Sequence, residues 1–253
     1  MTRNELLFYN EYEQFYAMAA QSQAFHKFCR DACGQDFSQD GFSDIAQVDM
    51  ILQHIPSGDD VHILDIGCGN GKMLGYLQER TGAFIHGFDF SSSAISHAQR
   101  LHPIRSDFRV GVMGQTEYPA NSFDVIISMD TMYFAPDMTA FVGQIRSWLK
   151  ADGVFFAGYQ EGDVVPRTQD AERSLLAGAL RANGMDYQVT DITRQTFELL
   201  KKKRGAALAH KDEFIAEGNG MWFDMLMLQT ECAQREYHEF AAEMARYIFT
   251  AVK

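Results

Sequence analysis

The stretch Val61-His62-Ile63-Leu64-Asp65-Ile66-Gly67-Cys68-Gly69-Asn70-Gly71-Lys72 decides the fold. Its apolar run over 61–66 reads as a buried strand, and a helical pattern opens after Gly71. The glycines therefore stand at a strand-to-helix turn. Such a turn lets backbone approach a ligand closely and aims unpaired amide N–H groups at it. The nearest familiar pattern is the dinucleotide fingerprint G-x-G-x-x-G. Here the third glycine, Gly71, comes one residue early, and Lys72 stands where the fingerprint's glycine belongs.

Working outward, short apolar runs alternate with amphipathic helices. Strands are expected at 61–66, 83–88, 108–113, 123–128, 154–159, 187–192 and 246–252. Helices are expected at 71–80, at 92–101 after a serine cap, at 138–149 and at 171–182. This alternation predicts a doubly wound α/β fold: a mostly parallel, seven-stranded sheet with helices on both faces. Ligands of such sheets bind outside the carboxyl ends of the strands, where the glycine turn lies. Residues 1–37 carry a helical pattern in which Phe8, Tyr12, Phe15 and Tyr16 share one face. These rings either pack on a core or form a lid whose tyrosines face a ligand. The stretch 37–43, which includes Gln39, reads as a loop, and Asp44 with Gln47 reads as a capping box opening a helix that Pro56 stops. A long helical stretch over 194–243 breaks at Gly218-Asn219-Gly220. The expected organisation is one domain over 1–253: a helical lid segment 1–57, a core sheet 61–192, a helical cap insertion 193–243 and a final strand 244–253.

A formal net charge of −12 argues against a nucleic-acid partner, because phosphate binding wants a basic surface. The basic run Lys201-Lys202-Lys203-Arg204 reads as a solvated helix end. No apolar stretch of roughly 18 residues is present, so no membrane span is expected. The polar N-terminus shows no secretory pattern, and a cytoplasmic protein, monomer or homodimer, is expected. Four cysteines in a chain this long suggest no disulfide framework. Cys29 and Cys33 lack the further ligands at short spacing that a metal site needs, and Asp36 stands where the radical-enzyme motif has its third cysteine, so inert thiols and no metal are expected.

Asp89 lies just past the second strand, where a carboxylate can accept hydrogen bonds from two vicinal ribose hydroxyls. With Asp65 two positions before Gly67, the turn reads D-x-G-x-G-x-G. This string, with Gly87-Phe88-Asp89-Phe90-Ser91, Asn121-Ser122-Phe123-Asp124-Val125-Ile126 and Leu149-Lys150-Ala151-Asp152-Gly153, resembles the class I S-adenosylmethionine-dependent methyltransferases over about 61–160. The resemblance implies S-adenosyl-L-methionine as cofactor, S-adenosyl-L-homocysteine as product and a small-molecule acceptor methylated at N, O or C. It implies a cofactor site made of Asp65, Gly67, Cys68, Gly69, Asp89, Phe90, Ser128 and Met129. Family members often carry an acidic residue after the third strand for the adenine; here Gly114 or Gln115 stands in that region.

Methyl transfer from a sulfonium is an in-line displacement, so holding acceptor and methyl in line can supply most of the rate. A base helps where the acceptor must lose a proton, and Asp130, Tyr133, His26 and Tyr16 are candidates in the loops and lid. Glu161 after the fifth strand is a further candidate, and both it and Asp130 also read as solvated loop carboxylates. Tyr12, Tyr16, Gln39 and Tyr133 are the candidate substrate and lid residues. Met221, Trp222, Phe223, Met225 and Met227 read as packing of the cap, or as lining of an apolar pocket. Two other classes stay open: a nicotinamide oxidoreductase, against which Lys72 argues, and a non-catalytic S-adenosylmethionine-binding regulator.

Overall fold

The structure, a computed structural model, describes residues 8–253; the first seven residues of the expected lid segment lie outside it. The strands are β1 (His62–Ile66), β2 (Phe84–Asp89), β3 (Ser106–Val110), β4 (Phe123–Met129), β5 (Leu149–Glu161), β6 (Asp186–Asp191) and β7 (Ala245–Val252). They form one sheet in the order β3-β2-β1-β4-β5-β7-β6. The pairs from β3 through β5 are parallel; β7 enters between β5 and β6 and runs antiparallel to both.

Strand order reverses between β1 and β4. Connections leaving their carboxyl ends diverge to opposite sides and open the crevice that open α/β sheets use for ligands. Side chains alternate between two cores, as strands covered on both faces require. Leu64, Ile126, Phe155 and Phe249 enter one core, and Ile63, Val125, Phe156 and Ile248 the other. The first is covered by α6 (Met138–Trp148) and α7 (Leu175–Ala182), the second by α3 (Ile45–Leu52), α4 (Lys72–Thr81) and α5 (Ser92–Leu101).

A third core lies in the helices beside the sheet. Phe15 and Tyr16 from α1 (Tyr9–Ala19) and Phe25 and Phe28 from α2 (Gln23–Cys33) meet Ala207, Phe214 and Phe223. Those last three belong to α8 (Thr193–Ala209), α9 (Lys211–Ala216) and α10 (Gly220–Gln229). N-terminal helices and late insertion thus pack into one body. The expected helix over 194–243 is cut more often than its glycines announce: His210 separates α8 from α9, and a 3-10 turn at Glu231–Gln234 precedes α11 (Tyr237–Glu243). A capping box between Glu236 and Glu239 starts α11. Similarly, Ser22 starts α2 by accepting the Phe25 amide, and Ser174 delays α7 to Leu175. β5 begins at Leu149, where the expected helix ends, so 150–153, outside the strand expected at 154–159, belong to the strand across a register shift.

Asp44 caps α3 by accepting the Gln47 amide, but Gln47 does not complete the box. Its Oε1 accepts from Arg246 of β7, 199 residues away. Arg246 is 0 % exposed and all five of its N–H donors are used. Nε and Nη2 clamp Asp130 at 2.9 and 2.7 Å, Nη2 also reaches Ser43 Oγ at 3.2 Å, and Nη1 reaches Phe42 O at 2.8 Å as well as Gln47. One guanidinium thus joins the last strand, the end of β4 and the loop before α3. Breaking a buried pair from one side strands a charge, so Arg246→Met is expected to cost about 3–5 kcal/mol, read from the urea midpoint. Adding Asp130→Asn should recover part of the loss; no recovery would show that packing of Arg246, and not its charge, carries the effect.

Candidate active site

The carboxyl ends of β1, β2 and β4 open into a cavity of about 480 Å³. Its floor is the glycine turn. Gly67 and Cys68 donate their amides to Phe88 O at 2.9 and 3.1 Å, and Gly69 donates to Asp89 Oδ2 at 3.0 Å. The turn after β1 is therefore sewn to the end of β2. Gly67 and Gly69 have φ of 73° and 53°, the left-handed region that favours glycine. A Cβ on Gly67 would lie 2.7 Å from Thr131 Cγ2, and one on Gly69 would collide with the Tyr16 hydroxyl. Lys72, the departure from the dinucleotide fingerprint, braces the turn against the loop before α3, its Nζ binding Asp36 Oδ2 at 2.9 Å and Ser38 Oγ at 2.7 Å. Asn70 Nδ2 donates to Ser38 O at 2.9 Å, so the turn also holds the loop that brings Gln39, Asp40 and Gly41 to the cavity.

Asp65 and Asp89 face this cavity at 3 % and 7 % exposure, and neither forms an ion pair among the described residues. Burial, and then the charge of Asp89, holds the Asp65 carboxyl well above the ordinary range. Burial pushes Asp89 up to about 6, against the pull of the Ser91 and Gly69 amides that its two oxygens accept. Cys68 also lines the cavity, and burial followed by the Asp89 charge pushes its thiol up, leaving it a neutral wall group.

The roof is α1. Tyr12 packs edge-on against Phe90 at 5.7 Å and Phe134 at 6.4 Å, bridging the segments that follow β2 and β4, and stacks on Tyr16 at 6.3 Å. Glu13 on the same helix accepts the Ser92 amide and the Ser93 hydroxyl at 2.5 and 2.7 Å, which docks the roof on the N-terminus of α5. Burial drives the Tyr12, Tyr16 and Tyr133 phenols far above their ordinary value, so all three stand as neutral hydroxyls.

Among the residues singled out from sequence, Asp65, Gly67, Cys68, Gly69, Asp89, Phe90, Met129, Asp130, Tyr12, Tyr16, Gln39 and Tyr133 line the cavity. Gly114 and Gln115 do not. β3 ends at Val110, three residues before its expected end, and Val112 starts a turn by donating to Thr116 Oγ1 at 2.9 Å. Residues 111–113 thereby become the wall. Ser128 is buried behind it: its hydroxyl pairs with Thr131 Oγ1 at 2.6 Å, and Thr131 Oγ1 donates to Ile66 O at 2.9 Å. His26 also lies off the cavity, its Nε2 on Ala19 O at 2.7 Å. Asp130 reaches the wall in a left-handed conformation, φ 57°, with both oxygens held by Arg246. Glu161 is buried on Arg167 and Thr168, not solvated. Asp40, Ser43, Thr131, Phe134 and the 111–113 wall line the cavity without having been singled out by sequence; only the loop signal around Gln39 points to the first two.

The mostly parallel seven-stranded sheet with helices on both faces is the α/β fold of solved methyltransferase structures. Residues 63–153 match the family model described as a methyltransferase domain. The chain is 30 % identical over 172 residues to phosphoethanolamine N-methyltransferase 3 of Arabidopsis thaliana, covering 61 % of this chain and 35 % of that protein. It is 27 % identical over 222 residues to sterol 24-C-methyltransferase ERG6B of Gibberella zeae, covering 80 % and 53 %. The chain thus spans between about a third and a half of the length of these curated relatives. Its fold is similar to that of phosphoethanolamine N-methyltransferase 2 of Haemonchus contortus in complex with S-adenosyl-L-methionine, with a TM-score of 0.74, 21 % identity, and coverage of 94 % of this chain and 60 % of that one.

Gly69→Ala is expected to push Tyr16 off the turn and abolish measurable cofactor binding while the chain still folds, checked by calorimetry beside a circular dichroism melt. Cofactor binding within about twofold of the parent would contradict the close approach, since a steric clash and a positive φ together cost more than about 1 kcal/mol.

Proposed function

We propose that the protein transfers a methyl group from S-adenosyl-L-methionine to a small-molecule acceptor, releasing S-adenosyl-L-homocysteine. The observation that carries this reading is the pair of buried, cation-free carboxylates, Asp65 and Asp89, on a glycine turn. A buried carboxylate without a partner is costly, and a ligand that brings positive charge and hydrogen-bond donors relieves it. S-adenosyl-L-methionine has both: a sulfonium and an ammonium, and two vicinal ribose hydroxyls for which a carboxylate at Asp89 is an acceptor. In this reading Gly67, Cys68 and Gly69 form the floor, Phe90 and residues 111–113 the adenine side, and Met129 the side nearer the acceptor. When bound, the cofactor supplies an electrophilic methyl group. The residues of this chain hold, align and exclude water; most of the rate comes from alignment.

The names of the relatives, which carry phosphoethanolamine and a sterol as acceptors, support a small molecule under the cap. The acidic charge of −12 favours a partner other than nucleic acid. No helix among the described residues is long and apolar enough to cross a membrane, and four free cysteines suit a reducing compartment, which we take to be the cytoplasm. We read the chain as one domain, a monomer or homodimer, with 1–57 as lid, 61–192 as core, 193–243 as cap and 244–253 as closing strand.

Calorimetry with S-adenosyl-L-methionine and its demethylated product tests the reading, with a reduced nicotinamide nucleotide as control. Submillimolar binding of both sulfur ligands and none of the nicotinamide is expected. Asp89→Ala, which removes the acceptor of the Gly69 and Ser91 amides as well as that of the ribose, should lower the affinity by about two orders of magnitude. Silence with both sulfur ligands would overturn it.

A further inference from the structure

The lining of the cavity carries information about the acceptor that the names of the relatives do not. Four carboxylates reach its wall, Asp40, Asp65, Asp89 and Asp130, and no Lys, Arg or His does among the described residues. Of the buried cations beside it, Arg246 has spent every donor on Asp130 and on Phe42, Ser43 and Gln47, and Lys203 Nζ donates to Gly41 O at 3.1 Å. Once Asp65 and Asp89 are assigned to the cofactor, the remaining part of the cavity lies between two loops and the roof. Its chemistry is aromatic and acidic: Tyr12, Tyr133 and Phe134, with the last two rings 4.9 Å apart, and Asp40. Gln229 Nε2, from the cap, donates to Asp40 Oδ1 at 3.0 Å and fixes the carboxylate. Asp40 forms no ion pair among the described residues.

A phosphate brought here would lose its hydration without the Arg or Lys fork that replaces it elsewhere. An ammonium meets the opposite situation, since aromatic faces and a carboxylate both attract it. The side chains also separate the possible acceptor atoms. A hydroxyl acceptor must give up its proton to a base during attack, and outside the cofactor carboxylates the cavity offers only Asp40, held by Gln229: Asp130 is clamped, His26 is off the cavity and the tyrosines are neutral hydroxyls. An amine nitrogen attacks as its free base.

Resting on the methyltransferase reading, we propose that the acceptor atom is an amine nitrogen of a small molecule bearing no phosphate, recognised by the Asp40 carboxylate and the Tyr12, Tyr133 and Phe134 rings. The nitrogen lone pair forms the new N–C bond as the C–S bond breaks, and the electron pair of that bond stays on sulfur. One positive charge passes from sulfur to nitrogen, so the acidic cavity holds a cation before and after. Where the nitrogen carried a hydrogen, the extra proton leaves afterwards to Asp40 and then to water.

Two probes of one shape and opposite charge decide this by calorimetry, without turnover. Benzyltrimethylammonium, which imitates a fully methylated product, and benzyl phosphate are titrated into the protein alone and into the protein saturated with S-adenosylhomocysteine. The ammonium is expected to bind at least about tenfold more tightly than the phosphate in both titrations. Asp40→Asn should weaken the ammonium about tenfold and leave benzyl phosphate no weaker, while Asp40→Glu should recover part of the loss. Equal or tighter binding of the phosphate, or no binding of the ammonium in either titration, overturns the amine assignment. An unchanged ammonium affinity in Asp40→Asn removes Asp40 from it. Failure of S-adenosylhomocysteine to bind would instead count against the methyltransferase reading, and the cofactor-free titration would still decide which charge the cavity prefers.

Discussion

The structure depends on a pair of carboxylates buried where the chain offers no cation to answer them. Asp65 stands one residue before the end of the turn's own strand and Asp89 ends the next one, and the parallel pairing of β1 with β2 brings both to the mouth of the crevice. Their common position follows from the sheet: register fixes Asp65 opposite Gly87, and the missing side chain at Gly87 leaves room for Cys68, whose Sγ a Cβ there would meet at 2.6 Å. The strain of this arrangement is confined to one place. Backbone amides from Gly69 and Ser91 offset part of the cost at Asp89, and no such bond answers Asp65 among the described residues.

A second buried charge pair closes the structure from the far end of the sequence. Arg246 and Asp130 together could have been replaced by apolar residues without loss of sheet pairing, since ion pairs of this kind are weak sources of net stability. The five hydrogen bonds of Arg246 instead fix geometry: they hold Asp130 in a left-handed conformation at the cavity wall and tie the loop that carries Gly41 and Ser43 to the last strand. Floor, wall and roof are thereby positioned by three separate devices, the Gly69–Asp89 bond, the Arg246 clamp and the Glu13 dock on α5.

What is legible in the sequence follows from range. The glycine turn, the serine cap at Ser91 and the apolar strand runs are local, and each residue's neighbours declare it. Gln47 illustrates the opposite: three residues after Asp44 it has the look of a capping partner, but a guanidinium 199 positions later outcompetes the local bond. The wall at 111–113 lies three residues off its expected place because Thr116 folds back on Val112 and ends β3 early, a side-chain bond with no periodic signature. Asp40 and Thr131 reach the cavity through loops whose course is set by Lys72, Asn70 and Ser128, so their position is readable only once those contacts are in place.

Recruitment of a cationic ligand by uncompensated carboxylates has a direct signature in protons. Burial raises the folded-state values of Asp65 and Asp89, so the ligand-free fold binds protons more tightly than free carboxylates do, and the contribution of Asp89 to its stability falls as the pH rises from about 4 towards about 6. A ligand that favours the ionised forms reverses this, and its affinity should rise with pH up to about 6 and then level off. Titrating S-adenosyl-L-methionine calorimetrically at about pH 6, in two buffers of different ionisation heat, counts the protons released. Asp89 is expected to release on the order of half a proton on binding at about pH 6. Proton uptake, or no exchange at that pH, would contradict it.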